Sequence, residues 1–503
     1  MTLRNAALAA LSGILLAVSF PAFNLYWCAW IALIPLILAI RDQSDWNGLW
    51  LGGITGLIYF AGTVHWVTNS IHFYGGIPVL PASFITLLLC AYLAIYPAAF
   101  GVTSVYLRRT HPKLFWVGAP ALWTALELAR TYVFSGFPWS LLGYSQHLAL
   151  PVIQMADLTG VYGVSFLIVL VNAAIAEFIA DRKQYIGIAA AVLAITLVLG
   201  YGFIKLRAPE GDKRITVSVV QGNIEQDKKW DAAYQAETRE IYQRLTREAL
   251  KDHPDIIIWP ETATPFYFGA TKGIDIALTA DLRGFVRSIK TPLLTGSPSY
   301  EQRQDHSYIL RNSAYLLDPN GGTAATYHKI HLVPFGEYVP LKSVLFFVDK
   351  MVQAIGDFQG GDTYTVMNIP APKGEITLST VICYEIIFPD LVRRFVDQGA
   401  QVMTTITNDA WFGRTAAPYQ HFSMAVFRAV ENRVPVARAA NTGVSGFIDA
   451  KGRVLAASDI FKEAQLTHTL IPGMAKTFYT KHGDFFAYAC AFLGLVLIVK
   501  FRK

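Results

Sequence analysis

Two patterns divide this chain. Up to about residue 205 the apolar residues run on for a helix length at a time, and they do so again near the C-terminal end. Between about 206 and 480, short β-branched runs alternate with segments whose apolar positions recur at helical spacing. The first pattern predicts membrane spans, because about 20 apolar residues are needed to cross the hydrocarbon core. Seven are predicted, at about 5–22, 25–40, 48–69, 80–107, 114–134, 161–180 and 185–205, and an eighth at about 484–500. The first reads as a span and not as a cleaved signal peptide: Phe20-Pro21-Ala22-Phe23 offers no small-residue cleavage site, and further spans follow at once. Gly52 and Gly56 in the third span form a small-xxx-small pair, read as helix packing.

The second pattern predicts an α/β domain. ITVSVVQGN (215–223) reads as a strand ending in a turn, and 231–251 as a helix with Tyr234, Ile241, Leu245 and Ala249 along it. DIIIWPE (255–261) is an apolar strand that stops at Pro260 and Glu261. A helix over 275–289 precedes a strand at TPLLTGSPS, and two strands flank a turn at 318–322. ITLSTVICYE and QVMTTITND are further strands, followed by helices near 388–399 and 419–432. A hairpin around Ala450-Lys451-Gly452 closes the series. Strands apolar on both faces belong between layers of helices. The division is then a membrane domain over 1–205, an α/β domain over 206–480, and a last span with its tail over 481–503.

Charge sharpens the division. The chain is 53% hydrophobic and 16% charged, against about 25% charged in soluble domains, and its mean hydropathy is +0.37. Residues 1–205 hold nine Lys and Arg and six Asp and Glu, residues 206–480 hold 29 of each, and the tail adds four basic and one acidic. The +6 net charge thus lies wholly in the apolar parts. A neutral polar domain argues against nucleic acid as a partner, since that needs a clustered basic excess. With the N-terminus on the cytoplasmic side, the inside loops carry Arg4, Arg41, Arg108, Arg109, Lys113, Arg182, Lys183, Lys500, Arg502 and Lys503. The short outside loops, near 23–24, 70–79 and 135–160, carry none. This positive-inside pattern puts 206–483 on the outer face and both termini in the cytoplasm.

That placement makes one cysteine conspicuous. Cys28, Cys90 and Cys490 lie in apolar stretches, and Cys383 is the only cysteine of the polar domain. Outside the cytoplasm paired cysteines tend to form disulfides. A single one reads as a reactive thiol, an intermolecular partner or a buried inert residue. Two more residues share its position at a strand end: Glu261 after DIIIWP, and Lys329 in TYHKIHLVPFGEYVP. Strand ends in an α/β domain form the crevice where ligands bind. A carboxylate can take a thiol's proton, and a lysine can favour the thiolate and hold charge that develops on a carbonyl oxygen. Taken singly, Glu261 also reads as a solvated loop residue or helix cap, and Lys329 as an exposed strand residue. His328 and His331 flank Lys329, but no Cys/His/Asp companion set points to a metal.

Together the three contexts say more. WPETATP, then YHKIHLVPFGEYVP, then VICYE, in that order, resemble the Glu-Lys-Cys motifs of the nitrilase (carbon-nitrogen hydrolase) superfamily. The chain as a whole resembles its membrane-embedded branch, the apolipoprotein N-acyltransferases, and QGNIEQDKKWD (221–231) and TNDAWFG (407–413) resemble stretches of that family. The resemblance implies a polytopic helical membrane domain of about eight transmembrane helices with an αββα sandwich on the outer face of a bacterial inner membrane. It implies Glu261 as general base, Lys329 as electrostatic stabiliser and Cys383 as nucleophile. Glu337 matches a second glutamate that positions them, Tyr384 and Glu385 match positions beside the nucleophile that the family needs, and Trp230 matches a tryptophan near the substrate entrance.

The implied partners are a phospholipid acyl donor and a diacylglyceryl-apolipoprotein acceptor. The implied enzyme works by ping-pong chemistry, is a monomer, and needs no cofactor and no metal. The apolar, aromatic loop 134–151 and TPFYFGA (264–270) would line the entrance, and VLFFVDKMVQAI (344–355) reads as a short lid or as an ordinary packing helix. Two other readings share parts of the pattern. One is a membrane-tethered nitrilase or amidase hydrolysing a small amide. The other is a non-catalytic membrane receptor or transporter, which calls for ionisable residues inside the spans, where the sequence has Glu127, Arg130 and Glu177.

Overall fold

Helix covers all eight apolar stretches. Leu3–Val18, Asp45–Val64, Val79–Thr110, Phe115–Tyr132, Val161–Ala180, Tyr185–Arg207 and Phe485–Ile498 are continuous, and the stretch Tyr26–Ala39 is interrupted. Val79–Thr110, Val161–Ala180 and Tyr185–Arg207 are long and apolar enough to cross a membrane. This computed structural model describes residues 1–229, 231–270, 273–302, 308–338 and 358–499. Trp230 and the segment 344–355 therefore lie outside the described residues. By internal contacts the chain forms two units: Met1–Ala208 with Thr415–Glu431 and Thr477–Lys503, and Pro209–Arg414 with Asn432–Lys476.

The first unit is apolar on the outside. Leu80 is 82% exposed, Ile204 71% and Leu197 64%. Inside, small residues bring helix backbones together. A Cβ on Gly52 would lie 2.1 Å from the carbonyl oxygen of Pro97, and one on Gly101 would lie 2.1 Å from that of Gly48. Glycine is therefore required where Asp45–Val64 meets Val79–Thr110. Pro35 starts a new helix, Ile34–Ala39, after the turn Ala29–Ala32, and such a break leaves backbone groups without intrahelical partners. Buried side chains supply them. Leu33 N–H donates to Asn172 Oδ1 at 2.8 Å, Asn172 Nδ2 donates to the Ala29 carbonyl at 2.9 Å, and Leu36 N–H donates to Ser12 Oγ at 2.8 Å. Glu127 and Arg130, both buried, serve the loop after their helix. Arg130 donates to the carbonyls of Phe137, Trp139 and Ser140, and Glu127 accepts from Leu142 N–H and Trp123 Nε1.

Among the described residues the second unit has two six-stranded sheets. The first contains β1 (Ile215–Gln221), β2 (Ile256–Ile258), β3 (Leu293–Gln302), β4 (Tyr308–Leu317), β5 (Thr323–His328) and β12 (Ala464–Leu470), in the order β12-β1-β2-β3-β4-β5. The second contains β6 (Met367–Ala371), β7 (Gly374–Ile382), β8 (Val402–Thr407), β9 (Val436–Ala440), β10 (Gly446–Ile448) and β11 (Val454–Ala457), in the order β11-β10-β9-β8-β7-β6. The sheets meet face to face through β1 with β9 and β4 with β7. The parallel central strands β2, β8 and β9 are buried along their whole length, as their apolar runs require. Helices Gln235–Ala249 and Asp275–Ile289 cover the first sheet, with Tyr242, Leu245, Leu282, Phe285 and Val286 packed against Val220, Ile257 and Trp259. Two strands carry no signal strong enough to be predicted. β6 is a five-residue edge, and β12 pairs antiparallel with β1 from more than 240 residues away (Ile215 with Leu470).

Candidate active site

Three strands deliver the site. β2 ends at Ile258, and Trp259-Pro260 carries the chain to Glu261. β5 ends at His328, immediately before Lys329. β7 ends at Ile382, and Cys383 opens a short 3-10 turn, Cys383–Ile387. Cys383 takes a left-handed φ of +53°. That conformation is unfavourable for a residue with a Cβ, and such strain is held at sites where the surroundings over-determine it.

All three side chains are buried: Glu261 is 7% exposed, Lys329 1% and Cys383 8%. Lys329 Nζ stands 3.9 Å from Glu261 Oε1 and lies between both oxygens of Glu337, at 3.0 and 2.9 Å. Glu261 Oε1 accepts from Asn312 Nδ2 at 2.7 Å, and Oε2 accepts from the Asn408 N–H at 2.9 Å. The carboxylate is thus fixed by a β4 side chain and by the backbone that follows β8. Glu337 is held in the same way: Oε1 accepts from Asn312 Nδ2 at 2.9 Å and Oε2 from the Val333 N–H at 2.8 Å. Asn312 therefore bridges the two glutamates on either side of Lys329.

The electrostatics follow from burial and these neighbours. Burial pushes the Cys383 thiol well up, Glu261 pushes it further, and Lys329 opposes them. Burial by itself would lower Lys329, but the carboxylates of Glu337 and Glu261 outweigh it and hold the ammonium charged. At rest the site is a protonated thiol beside a charged lysine.

Glu385 explains how two of the three strand ends keep register. It is fully buried, and Oε1 accepts from Tyr327 OH at 2.7 Å and from the N–H groups of Ile330 at 2.7 Å and His331 at 3.0 Å. Its Oε2 accepts from Ile382 N–H at 2.7 Å. One carboxylate thus ties the Lys329 loop to the Cys383 turn. Burial raises its pKa to about 6. Tyr384 packs edge-on against Phe388, beside His331.

The structure thus gathers Glu261, Lys329, Cys383, Glu337 and Glu385 in one place, with Tyr384 alongside. His328 turns to the sheet, where its Nδ1 is 2.7 Å from Ser313 Oγ. Among the described residues no group of three or more His, Cys, Asp or Glu side chains could hold a metal ion. The sequence reading missed two members. Asn312 was visible only as the polar RNS step inside an otherwise apolar strand. Lys229 sits in a charged run, yet is 1% exposed, and its Nζ donates to the Glu261 carbonyl at 3.0 Å.

Comparison with known proteins shows the family of the chain. The family model described as the apolipoprotein N-acyltransferase N-terminal domain matches residues 12–174, and that of the carbon-nitrogen hydrolases matches 216–477. An apolipoprotein N-acyltransferase from Geobacter metallireducens is 42% identical over 99% of this chain and 96% of its own length. Those from Pasteurella multocida and Haemophilus influenzae are each 34% identical over 97% of this chain and 94% and 93% of theirs. The solved structure of an amidase from Nesterenkonia sp. AN1 aligns over 55% of this chain and 96% of its own, with a TM-score of 0.39 and 18% identity. With such identity over nearly its whole length, the chain belongs to the apolipoprotein N-acyltransferase family and carries a carbon-nitrogen hydrolase domain.

Proposed function

We propose that this protein is a membrane-bound N-acyltransferase that completes lipoprotein maturation. In this reading it moves an acyl chain from a phospholipid, through a thioester on Cys383, to the α-amino group of an apolipoprotein's N-terminal diacylglyceryl-cysteine. The observation that carries the reading is the convergence of Glu261, Lys329 and Cys383 at three buried strand ends, in a chain whose family acylates apolipoproteins.

In the first half-reaction Glu261 takes the Cys383 proton and the sulfur attacks the ester carbonyl. The oxyanion forms against Lys329 and a backbone N–H just after Cys383. The C–O bond breaks, the lysophospholipid oxygen takes the proton from Glu261, and the thioester remains. In the second, the neutral amine attacks the thioester, Glu261 accepts the amine proton, and the thiolate leaves and is reprotonated. This is ping-pong covalent catalysis. A high resting thiol pKa fits it, because the sulfur then ionises only when a base and a stabilised oxyanion are both engaged. Glu337 and Asn312 orient Lys329 and Glu261, and Glu385 keeps the lysine loop and the nucleophile turn in register. Trp230 and 344–355 are proposed at the substrate entrance and lid.

The same reading includes eight spans, the domain boundaries at 205 and 480, a monomer in the bacterial inner membrane, a periplasmic catalytic domain and cytoplasmic termini. Its support is the exposed apolar face of the helical unit and the basic residues of alternate loops. The deciding measurement is the intact mass of the full chain after incubation with phospholipid alone. A hydroxylamine-sensitive gain of one acyl chain, absent in Cys383→Ala, is the expected result. Turnover of a small soluble amide with no acyl adduct would replace this reading with that of a membrane-tethered amidase.

A further inference from the structure

The carboxylates of the site outnumber its one assigned cation. Glu261 and Glu385 are buried, and the Glu337 side chain is 13% exposed. Three carboxylates face one ammonium, that of Lys329, before Cys383 ionises. The nearby Asp409, although its Oδ2 stands 2.7 Å from Arg438 Nη2, also pushes the Cys383 thiol up. Passing the Cys383 proton to Glu261 leaves the net charge of the site unchanged but moves the negative charge onto a buried sulfur, which burial makes costly.

A second ammonium is present. Lys229 ends the short helix Gln226–Lys229 and is 1% exposed, whereas its neighbours Asp227 and Lys228 face solvent. Its Nζ donates at 3.0 Å to the carbonyl of Glu261, the residue that opens the turn after β2. That stretch of main chain is tightly held: Thr262 has a φ of +47°, and a Cβ on Gly296 would lie 2.7 Å from the Glu261 Cα. Glu261, from the turn after β2, and Cys383, from the turn after β7, act on the charge of Lys229, while the cation that chiefly opposes the rise of the Cys383 thiol is Lys329.

We propose that Lys229 is a positioning residue of the acyl-transfer centre: its ammonium holds the Glu261 main chain in place, and its charge favours the ionised sulfur of Cys383. The proposal rests on Cys383 as the nucleophile, but not on the identity of the acyl donor. Burial lowers Lys229 to about 8 against the opposing pull of Glu261 and Cys383. Its charge is therefore present at neutral pH and lost as pH rises through about 8. A lysine that merely caps a carbonyl would not give the sulfur such a dependence.

The test is the rate of iodoacetamide alkylation at Cys383 in the full-length protein in detergent, followed on the Cys383 peptide by mass spectrometry from about pH 6 to 10. At pH 7 Lys229→Gln should be alkylated about tenfold more slowly than wild type, a change of about one unit in the thiol pKa. Lys229→Arg should stay within about twofold of wild type at pH 7 and outpace it above pH 9, where only the guanidinium is still charged. Equal rates for Lys229→Gln and wild type at pH 7 would overturn the proposal, as would a gap between them that persists unchanged at pH 10. If Lys229→Gln does not fold, the arginine variant decides: no advantage over wild type above pH 9 sinks the idea. An alkylation gap without any thioester from phospholipid would leave Lys229 in place and remove the phospholipid donor instead.

Discussion

The two units bury polar groups for opposite ends. In the helical unit each buried polar group named above pairs with backbone groups that a helix break or a loop leaves open. Asn172 and Ser12 close the break on either side of Pro35, and Arg130 and Glu127 bind the carbonyls and N–H of the loop at 137–142. In the α/β unit, side chains from five separate segments converge on one another: Glu261, Asn312, Lys329 with Glu337, Cys383 with Glu385, and Lys229. The apolar residues are arranged differently as well. The helical unit turns many leucines and isoleucines outward, such as Leu80, Leu197 and Ile204, while others such as Leu36 and Leu51 pack inside beside buried glycine and serine, because lipid gives little hydrophobic reward for burying them. The α/β unit buries its isoleucine and valine between sheets, where leaving water is the driving force. Buried polarity thus repairs backbone in the first unit and concentrates reactivity in the second.

The sharpest way to break that comparison is Cys383→Ala. It should reduce acyl transfer about a thousandfold or more and leave the thermal unfolding midpoint near that of wild type. A large loss of stability would mean that Cys383 is a packing residue. In the helical unit the corresponding change is Gly52→Leu. With the Pro97 carbonyl 2.1 Å from the new Cβ, it should destabilise by about 3 kcal/mol, measured as loss of folded protein in detergent. A well-folded Gly52→Leu protein would show that the helix contact tolerates separation.

Glu385→Gln should be intermediate and should act through geometry. It removes an acceptor shared by the lysine loop and the nucleophile turn, so acyl transfer should fall about a hundredfold. It should also change the pH dependence of stability. With a folded pKa raised to about 6, above an ordinary carboxyl value of about 4.3, Glu385 favours the fold below about pH 4, and that contribution is lost as pH rises through 6. The glutamine variant lacks this loss. Its stability relative to wild type should therefore improve by about 2 kcal/mol between pH 4 and 7, read from melting curves.

Two smaller effects complete the series. Asn172→Ala leaves the Leu33 N–H and the Ala29 carbonyl without that partner, which should cost about 1–2 kcal/mol with little direct effect on acyl transfer. Arg239→Ala removes an ion pair with Asp281 whose side chains are 39% and 60% exposed. It should change stability by less than about 0.5 kcal/mol. A larger change there would mean that surface charge, and not buried polarity, distinguishes the α/β unit.

Much of the architecture is local in origin and so was readable. Apolar runs of span length, the alternation of short strands with helices, and the motifs around Glu261, Lys329 and Cys383 are all contiguous in the chain. The helix 275–289 appears with those bounds in the structure as Asp275–Ile289. What was not readable depends on partners far away in sequence. β12 is an unremarkable alternating stretch until it pairs with β1. Asn312 and Lys229 look like ordinary polar residues until Glu261 stands beside them, 51 and 32 residues away. The helix near 419–432 follows β8 in the chain, yet Thr415–Glu431 belongs by its contacts to the helical unit, and no local pattern announces that.

By itself, the sequence determined most of the helices and strands, β6 and β12 excepted, and which chemical groups stand at the strand ends, because hydrophobic period and strand-ending residues act over a few positions. Only the tertiary structure decided that these ends meet. It placed Lys329 between two carboxylates, forced Cys383 into a left-handed turn, and buried Lys229 against the Glu261 carbonyl. The reason is physical: position along a strand is set by neighbours in the chain. The charge balance and geometry of a buried site are set by whatever the fold brings within a few ångströms.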